Sequence, residues 1–273
     1  MTMLLGCDFT SSPSRRKPLV LAWGQAEAKG VRLLRVQRCF TFEAMVQALT
    51  TSEPWVGGFD LPFGLPRELV LTLGWPTEWL ACMRHYTQLS RDDIRHTFAR
   101  FCQSRPPGGK WAHRATDGPA GASPSMKWVN PPVAFMMHAG LPLLWQLNAH
   151  FPGLHDGNRQ RVALEAYPGM WAREVLQRQS YKSDTAAKQT PERAEARGRL
   201  LAALVQGHAR WPLRLKVVDP LAEALVQDAT GDTLDAVLCM MQAAWAQQRF
   251  LEGDPLYGLP PGMDPLEGWI IHA

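Results

Sequence analysis

The sequence predicts an α/β fold: a mixed five-stranded sheet flanked by helices, with a helical insertion between the fourth and fifth strands. Three observations predict it. Short apolar runs of strand length occur at 3–7, 19–23, 31–36, 55–59 and 161–167. Helical periodicity follows the third and fifth of these runs. Between the fourth and fifth, residues 67–159 read as amphipathic helices broken by a long Gly-, Pro- and Ser-containing stretch at 104–124. At 273 residues, the chain suits one domain (1–273) carrying an insertion (67–159) of roughly 100 residues.

The first run, MLLGC, is followed by Asp8 and the turn-rich Phe9-Thr10-Ser11-Ser12-Pro13, so a buried strand should end at Asp8. LVLAW and VRLLRV are separated by a polar stretch ending in Gly30, which suits an antiparallel meander. Thr41 then caps FEAMVQAL, where Phe42, Met45, Val46 and Leu49 share one helical face. WVGGF reads as a buried strand ending at Asp60, before the turn LPFGLP.

Within the insertion, VNPPVAFMMHAGLPLLWQL is the most apolar part and too interrupted by proline to span a membrane. RVALEAY recovers strand character with Glu165 in its interior, and Pro168 opens the helix that covers WAREVLQR. A further helix is expected over 191–209, and a long one from Gly231 to Phe250, with Asp232 and Asp235 one turn apart at its start. The tail after Gly253 is expected to wrap the surface.

Composition bounds the function classes. An apolar fraction of 46% and a charged fraction of 20% exclude disorder and predict a packed core. The net charge of +4 permits a polyanionic partner without requiring one. Five scattered cysteines without a CxxC pair argue against a disulfide framework and a cysteine zinc site, and fit reduced thiols in a cytoplasm. No run reaches the ~18 apolar residues of a membrane span, and no leader peptide is expected at the N-terminus.

The chemistry-bearing residues are acidic. Asp8 and Asp60 end two strands, and Asp232 and Asp235 open the last helix. Each has an ordinary explanation: Asp8 and Asp60 as Asx-turn residues, Asp232 as a helix cap. Asp235 lacks one, because it adds repulsion of about a few tenths of a kcal/mol beside Asp232. Their joint occurrence suggests a shared metal site. Mg²⁺ prefers oxygen ligands at ~2.0 to 2.1 Å, and two ions ~3.5 to 4 Å apart stabilise both the attacking and leaving oxygens of an in-line displacement. Without metal, some members of such a cluster should hold a proton. Glu165 is a further candidate, although sequence does not say which sheet face it points to.

The segments GCDFTSSP, GGFDLPFGLP, EAYPG, YK and GDTLDAVLCMMQAAW resemble domain-of-unknown-function family 429, described as predicted RNase H-like nucleases, over nearly the whole chain. The last of these segments is also similar to the closing helix of RuvC-type Holliday-junction resolvases. The resemblance implies an RNase H-like fold and a metal-dependent nuclease. It implies Mg²⁺ or Mn²⁺ held by Asp8, Asp60, Asp232 and Asp235, with Glu165 supporting catalysis. It also suggests that Lys182, beside Tyr181, approaches a phosphate or neutralises the cluster.

Thr10 and Arg84 are further substrate-binding candidates. The insertion carries Arg84, His85, Arg91, Arg95, His96, Arg100, Arg105, Lys110, His113, Arg114 and Lys127, interleaved with Trp79, Tyr86, Trp111 and Trp128. Such residues suit nucleic-acid binding or, equally, a solvated helix pair with buried aromatics. Two other functions stand beside the nuclease. One is a nucleic-acid-binding or scaffold protein without turnover. The other is an actin-like ATPase, disfavoured because the chain shows no duplication and no second phosphate loop.

Overall fold

In the computed structural model, which describes residues 2–28, 30–52, 54–208 and 213–273, the first apolar run forms β1 (Met3–Asp8), buried along its whole length. β2 (Leu19–Glu27) and β3 (Gly30–Cys39) complete an antiparallel meander. The Thr41 hydroxyl accepts the Ala44 N–H at 3.2 Å and starts α1 (Phe42–Thr50), which returns the chain to β4 (Trp55–Phe59). β4 lies parallel to β1, with Cys7 opposite Phe59.

The insertion supplies α2 (Arg67–Thr72), α3 (Trp79–Gln88), α4 (Arg91–Gln103), α5 (Asp117–Ala120) and α6 (Val133–Gln146). After β5 (Ala149–His150) comes β6 (Asn158–Glu165), parallel to β4 with Glu165 opposite Phe59. The last part of the chain forms α7 (Pro168–Leu176), α8 (Pro191–Gln206), β7 (Arg214–Lys216), α9 (Asp219–Gln227) and α10 (Asp232–Leu251). Ala209, the end of the helix expected at 191–209, lies outside the described residues.

Among the described residues the mixed sheet has seven strands, in the order β5-β6-β4-β1-β2-β3-β7, rather than five. The five expected strands are its centre. The two additions are edge strands of two and three residues, too short to show a period of two. One face of the sheet, carrying Leu5, Cys7, Leu21, Trp23 and Phe59, packs on α1 and the insertion. The other face, carrying Leu4, Val20, Val56, Val162 and Leu164, packs on α7, α8 and α10. Residues 231–244 are buried throughout, which marks α10 as a central helix.

Two expectations are corrected. Glu165 is the last residue of its strand, not an interior one. The tail is part of the core: Tyr257, Leu259, Leu266, Ile270 and Ile271 are buried, and the Ile271 N–H bonds to the Glu165 carbonyl at 2.9 Å. All five cysteines are free and buried. Among the described residues no helix is long and apolar enough to cross a membrane.

Candidate active site

Two glycines bring the acidic residues together. A Cβ on Gly6 would strike the Ala236 carbonyl and the Met240 amide, and one on Gly58 would strike the Cys239 carbonyl. With no side chain there, the backbone of α10 rests directly on β1 and β4. Alternate residues of a strand face the same side, so Asp8 faces α10 together with Gly6, and Asp60 together with Gly58. The Asp60 N–H bonds to the Cys7 carbonyl at 2.9 Å, which fixes the two strand ends side by side.

The start of α10 supplies the other two carboxylates. Gly231 is its N-cap at φ +76°, against the stem of Lys182, where a Cβ would lie 2.7 Å from that of the lysine. Asp232 is therefore the first helical residue, not the cap, and both it and Asp235 are buried. Asp228 organises the entry by accepting the Thr233 N–H at 3.0 Å and its hydroxyl at 2.8 Å.

Cations already meet both helix aspartates. Lys17 Nζ donates to Asp232 Oδ1 at 2.8 Å and to Asp184 Oδ1 at 2.9 Å. Lys182 Nζ donates to Asp235 Oδ2, and the Tyr181 hydroxyl to Asp235 Oδ1. The 181–182 backbone is held by Arg197 Nη1 on the Tyr181 carbonyl at 2.8 Å and Arg193 Nη1 on the Lys182 carbonyl at 3.1 Å. Burial works against both ammonium groups. It is outweighed by the facing Asp232 and Asp235, which push the two lysines above the usual lysine range.

The strand-end carboxylates are in the opposite position. Burial pushes Asp8 well up, followed by repulsion from Asp232 and Asp235. Its Oδ2 is buried with no hydrogen-bond partner. Asp60 is pushed up to about 7, by burial first, with Asp235 and Glu165 adding to it against the opposing pull of Lys182. Asp232 is raised as well, by burial first. A buried carboxylate oxygen with no protein partner calls for a proton or a cation.

The donor chemistry fits a hard dication, since every donor is a carboxylate oxygen and Asp8 has an oxygen unused. The arrangement around it is closed: Lys17 and Lys182 occupy oxygens of Asp232 and Asp235. Among the described residues no group of three or more His, Cys, Asp or Glu side chains is arranged to hold a metal ion. Lys17 and Lys182 would therefore compete with a shared metal for oxygens of Asp232 and Asp235.

Glu165 ends its strand in line with Phe59 but faces the insertion, not α10. Its Oε1 and Oε2 accept Arg114 Nη2 and Nη1 at 2.7 and 2.8 Å, and Oε2 also takes the Phe63 N–H at 2.9 Å. Arg114 is buried and bound to Asp117 as well, at 2.9 Å. Glu165 therefore anchors the loop after Asp60, with both oxygens taken by Arg114 and the Phe63 amide, while its charge still raises Asp60. Arg114, expected among the surface basics, is its buried counter-ion.

Thr10 lies in the turn after Asp8, its hydroxyl accepting the Ser12 N–H at 3.5 Å. Arg84 is exposed on α3, and among the described residues no hydrogen bond or ion pair joins it to the acids. Trp79 and Tyr86 are buried in the core and unavailable to a ligand, whereas Trp111 and Trp128 are half-buried, edge to face at 4.8 Å. Arg91 reaches from α4 to the turn after β1, donating to Ser12 Oγ at 3.2 Å.

Sequence reasoning missed Lys17; the run Arg15-Arg16-Lys17 just after the Asp8 turn was the available signal. It also missed a cleft of about 430 Å³ between the start of α7 and residues 177–182, bordered on the site side by Asp60, Tyr181 and Lys182. In comparisons with family models, with curated proteins and with solved structures, the chain finds no match.

Proposed function

We propose that the chain is a metal-dependent nuclease of RNase H-like architecture, related to domain-of-unknown-function family 429. The observation that carries this reading is the convergence of Asp8, Asp60, Asp232 and Asp235, from two parallel strand ends held side by side and one helix start, so that the charge of Asp235 raises each of the other three. The element order supports it too: an antiparallel meander, a crossover helix, two parallel strands around an insertion, and a closing acidic helix across the sheet.

Two Mg²⁺ or Mn²⁺ ions on these aspartates would supply Lewis-acid stabilisation of the attacking and leaving oxygens of a phosphodiester. The chain's own groups do the rest. Lys182, released from Asp235, is within reach of the cleft and suits a phosphate oxygen. Asp60, raised to about 7 without metal, would lose its proton on binding a dication, so metal loading takes up the charge that burial disfavours. The Arg114 fork keeps Glu165 on the Phe63 amide and so steadies the loop that begins at Asp60.

A second reading is a nucleic-acid-binding protein without turnover, and the lysine pairs on Asp232 and Asp235 are the observation that favours it. A panel of single- and double-stranded DNA and RNA, incubated with Mg²⁺ or Mn²⁺, separates the two. Cleavage that Asp8→Asn abolishes establishes the nuclease. Binding with no cleavage under either metal rejects it.

A further inference from the structure

We infer that the cleft beside Asp60 seats one unpaired nucleotide, so that the substrate is a single strand or an unpaired position; this rests on the nuclease reading above. The cleft has a cationic side and a flat side. Lys182 and Arg178 both line it, and Arg178 is exposed. Among the described residues Arg178 makes no hydrogen bond or ion pair, so its guanidinium is free to take a phosphate.

The flat side is Tyr167. Its ring is half-buried, with the Arg173 guanidinium 5.4 Å from the ring centroid and Arg173 Nη1 3.4 Å from the hydroxyl. Arg173 is itself tied to the Ala120 carbonyl. A Cβ on Gly169 would lie 2.8 Å from the Tyr167 Cζ and Oη, so glycine lets the ring fold back over the first turn of α7. The backbone beneath is clamped by the buried Gln242 side chain, which accepts the Tyr167 N–H at 3.0 Å and donates to its carbonyl at 3.1 Å. A pre-fixed aromatic and guanidinium wall is the surface on which an unstacked base rests.

Size and sign agree. At about 430 Å³ the cleft lies toward the small end of ligand sites, which run from roughly 300 to 1,000 Å³. It has room for one nucleotide, and a base still paired and stacked in a duplex cannot enter it. Asp60 repels phosphate, and Arg178 and Lys182 on the same cleft attract it. A phosphate held there lies next to the acidic group.

Fluorescence anisotropy in EDTA, and again with Ca²⁺, tests this with a labelled single strand, the same strand in a blunt duplex, and a free mononucleotide as competitor. The single strand should bind about tenfold or more tighter than the duplex. Tyr167→Ala and Arg178→Ala should each weaken it by about fivefold or more, the usual size of a lost base stack or charged contact. Tyr167→Phe should retain binding, and Arg249→Ala, at the far end of α10, should leave it unchanged. Arg178 is exposed, so its variant folds even if Tyr167→Ala does not.

Equal affinity for duplex, indifference to Arg178→Ala, or a free mononucleotide that never competes with the strand would each overturn the inference. If wild-type protein still cuts nucleic acid in those cases, the nuclease reading survives alone. If the strand binds in the cleft and is never cut, the cleft stands and the nuclease reading falls. If no nucleic acid is bound or cut, both fall.

Discussion

Gly6 in β1 faces the backbone amide of Met240 in α10 with no side chain between them. That contact sets the height of α10 above the sheet and therefore the distance of Asp232 and Asp235 from Asp8. Gly6→Ala drives a Cβ into two backbone groups, which cannot swing aside as a side chain would. Overpacking of this kind costs about 1–3 kcal/mol. Thermal unfolding should fall by roughly 2–4 °C for each kcal/mol, and metal-dependent cleavage should drop with it. A variant that melts with the wild type removes the close approach from the account.

Asp8→Asn separates stability from function. Asp8 is buried with Oδ2 unpartnered and is repelled by Asp232 and Asp235, so a neutral isostere should melt at or above the wild-type temperature in EDTA. Mg²⁺ should raise the wild-type melting temperature by binding the folded state alone. The variant should show neither that rise nor cleavage. Differential scanning calorimetry with and without Mg²⁺ reads both effects.

The raised carboxylates set a pH dependence with a definite sign. Asp60 ionises at about 7 when folded and near 3.9 when unfolded. As pH rises above that lower value, the unfolded chain gives up the proton first, so the unfolded state gains. The contribution of Asp60 to metal-free stability is complete below about pH 4 and is lost as pH climbs through 7. His150, lowered chiefly by burial, works the other way, so the informative comparison is between proteins. Urea midpoints in EDTA at pH 5 and pH 8 should differ more favourably toward pH 5 for wild type than for Asp60→Asn. Identical pH slopes would contradict the assignment.

Arg114→Met should be severe. It strands Glu165 and Asp117 as buried charges, and breaking such a network from one side costs about 3–5 kcal/mol. Adding Glu165→Gln and Asp117→Asn should return much of the loss, because neutral amides need no cation. Urea denaturation of the single and triple variants measures the difference.

Lys17→Met removes the cation on Asp232 Oδ1. Since Lys17 is partly exposed, the pair is worth a fraction of a kcal/mol, and Mn²⁺ affinity by titration calorimetry should tighten only a few-fold. Weaker Mn²⁺ binding would mean that Lys17 supports the metal-loaded state rather than competing with it.

Much of this arrangement is legible along the chain because it is local. Apolar runs of strand length, a turn after each of Asp8 and Asp60, and a glycine before an acidic helix depend only on neighbouring residues. The first and fourth strands and the last helix stand within a residue or two of where their patterns put them, while the second, third and fifth runs are shifted or extended by three or four residues at one end. The edge strands of two and three residues were not legible, being shorter than any period. Nor was the burial of the tail, whose apolar residues Tyr257, Leu259 and Ile270 show no regular spacing.

By itself, then, the sequence determined the α/β class, the five central strands, and the ends at which four aspartates would stand. Tertiary structure alone decided their company. Lys17 meets Asp232 across 215 residues of chain, and Arg114 meets Glu165 across 51. Which face Glu165 takes follows from the pairing of β6 with β4, where a shift of one residue would exchange the two faces of the strand. Propensity acts between neighbours, whereas the partners of a buried charge are chosen by register and packing.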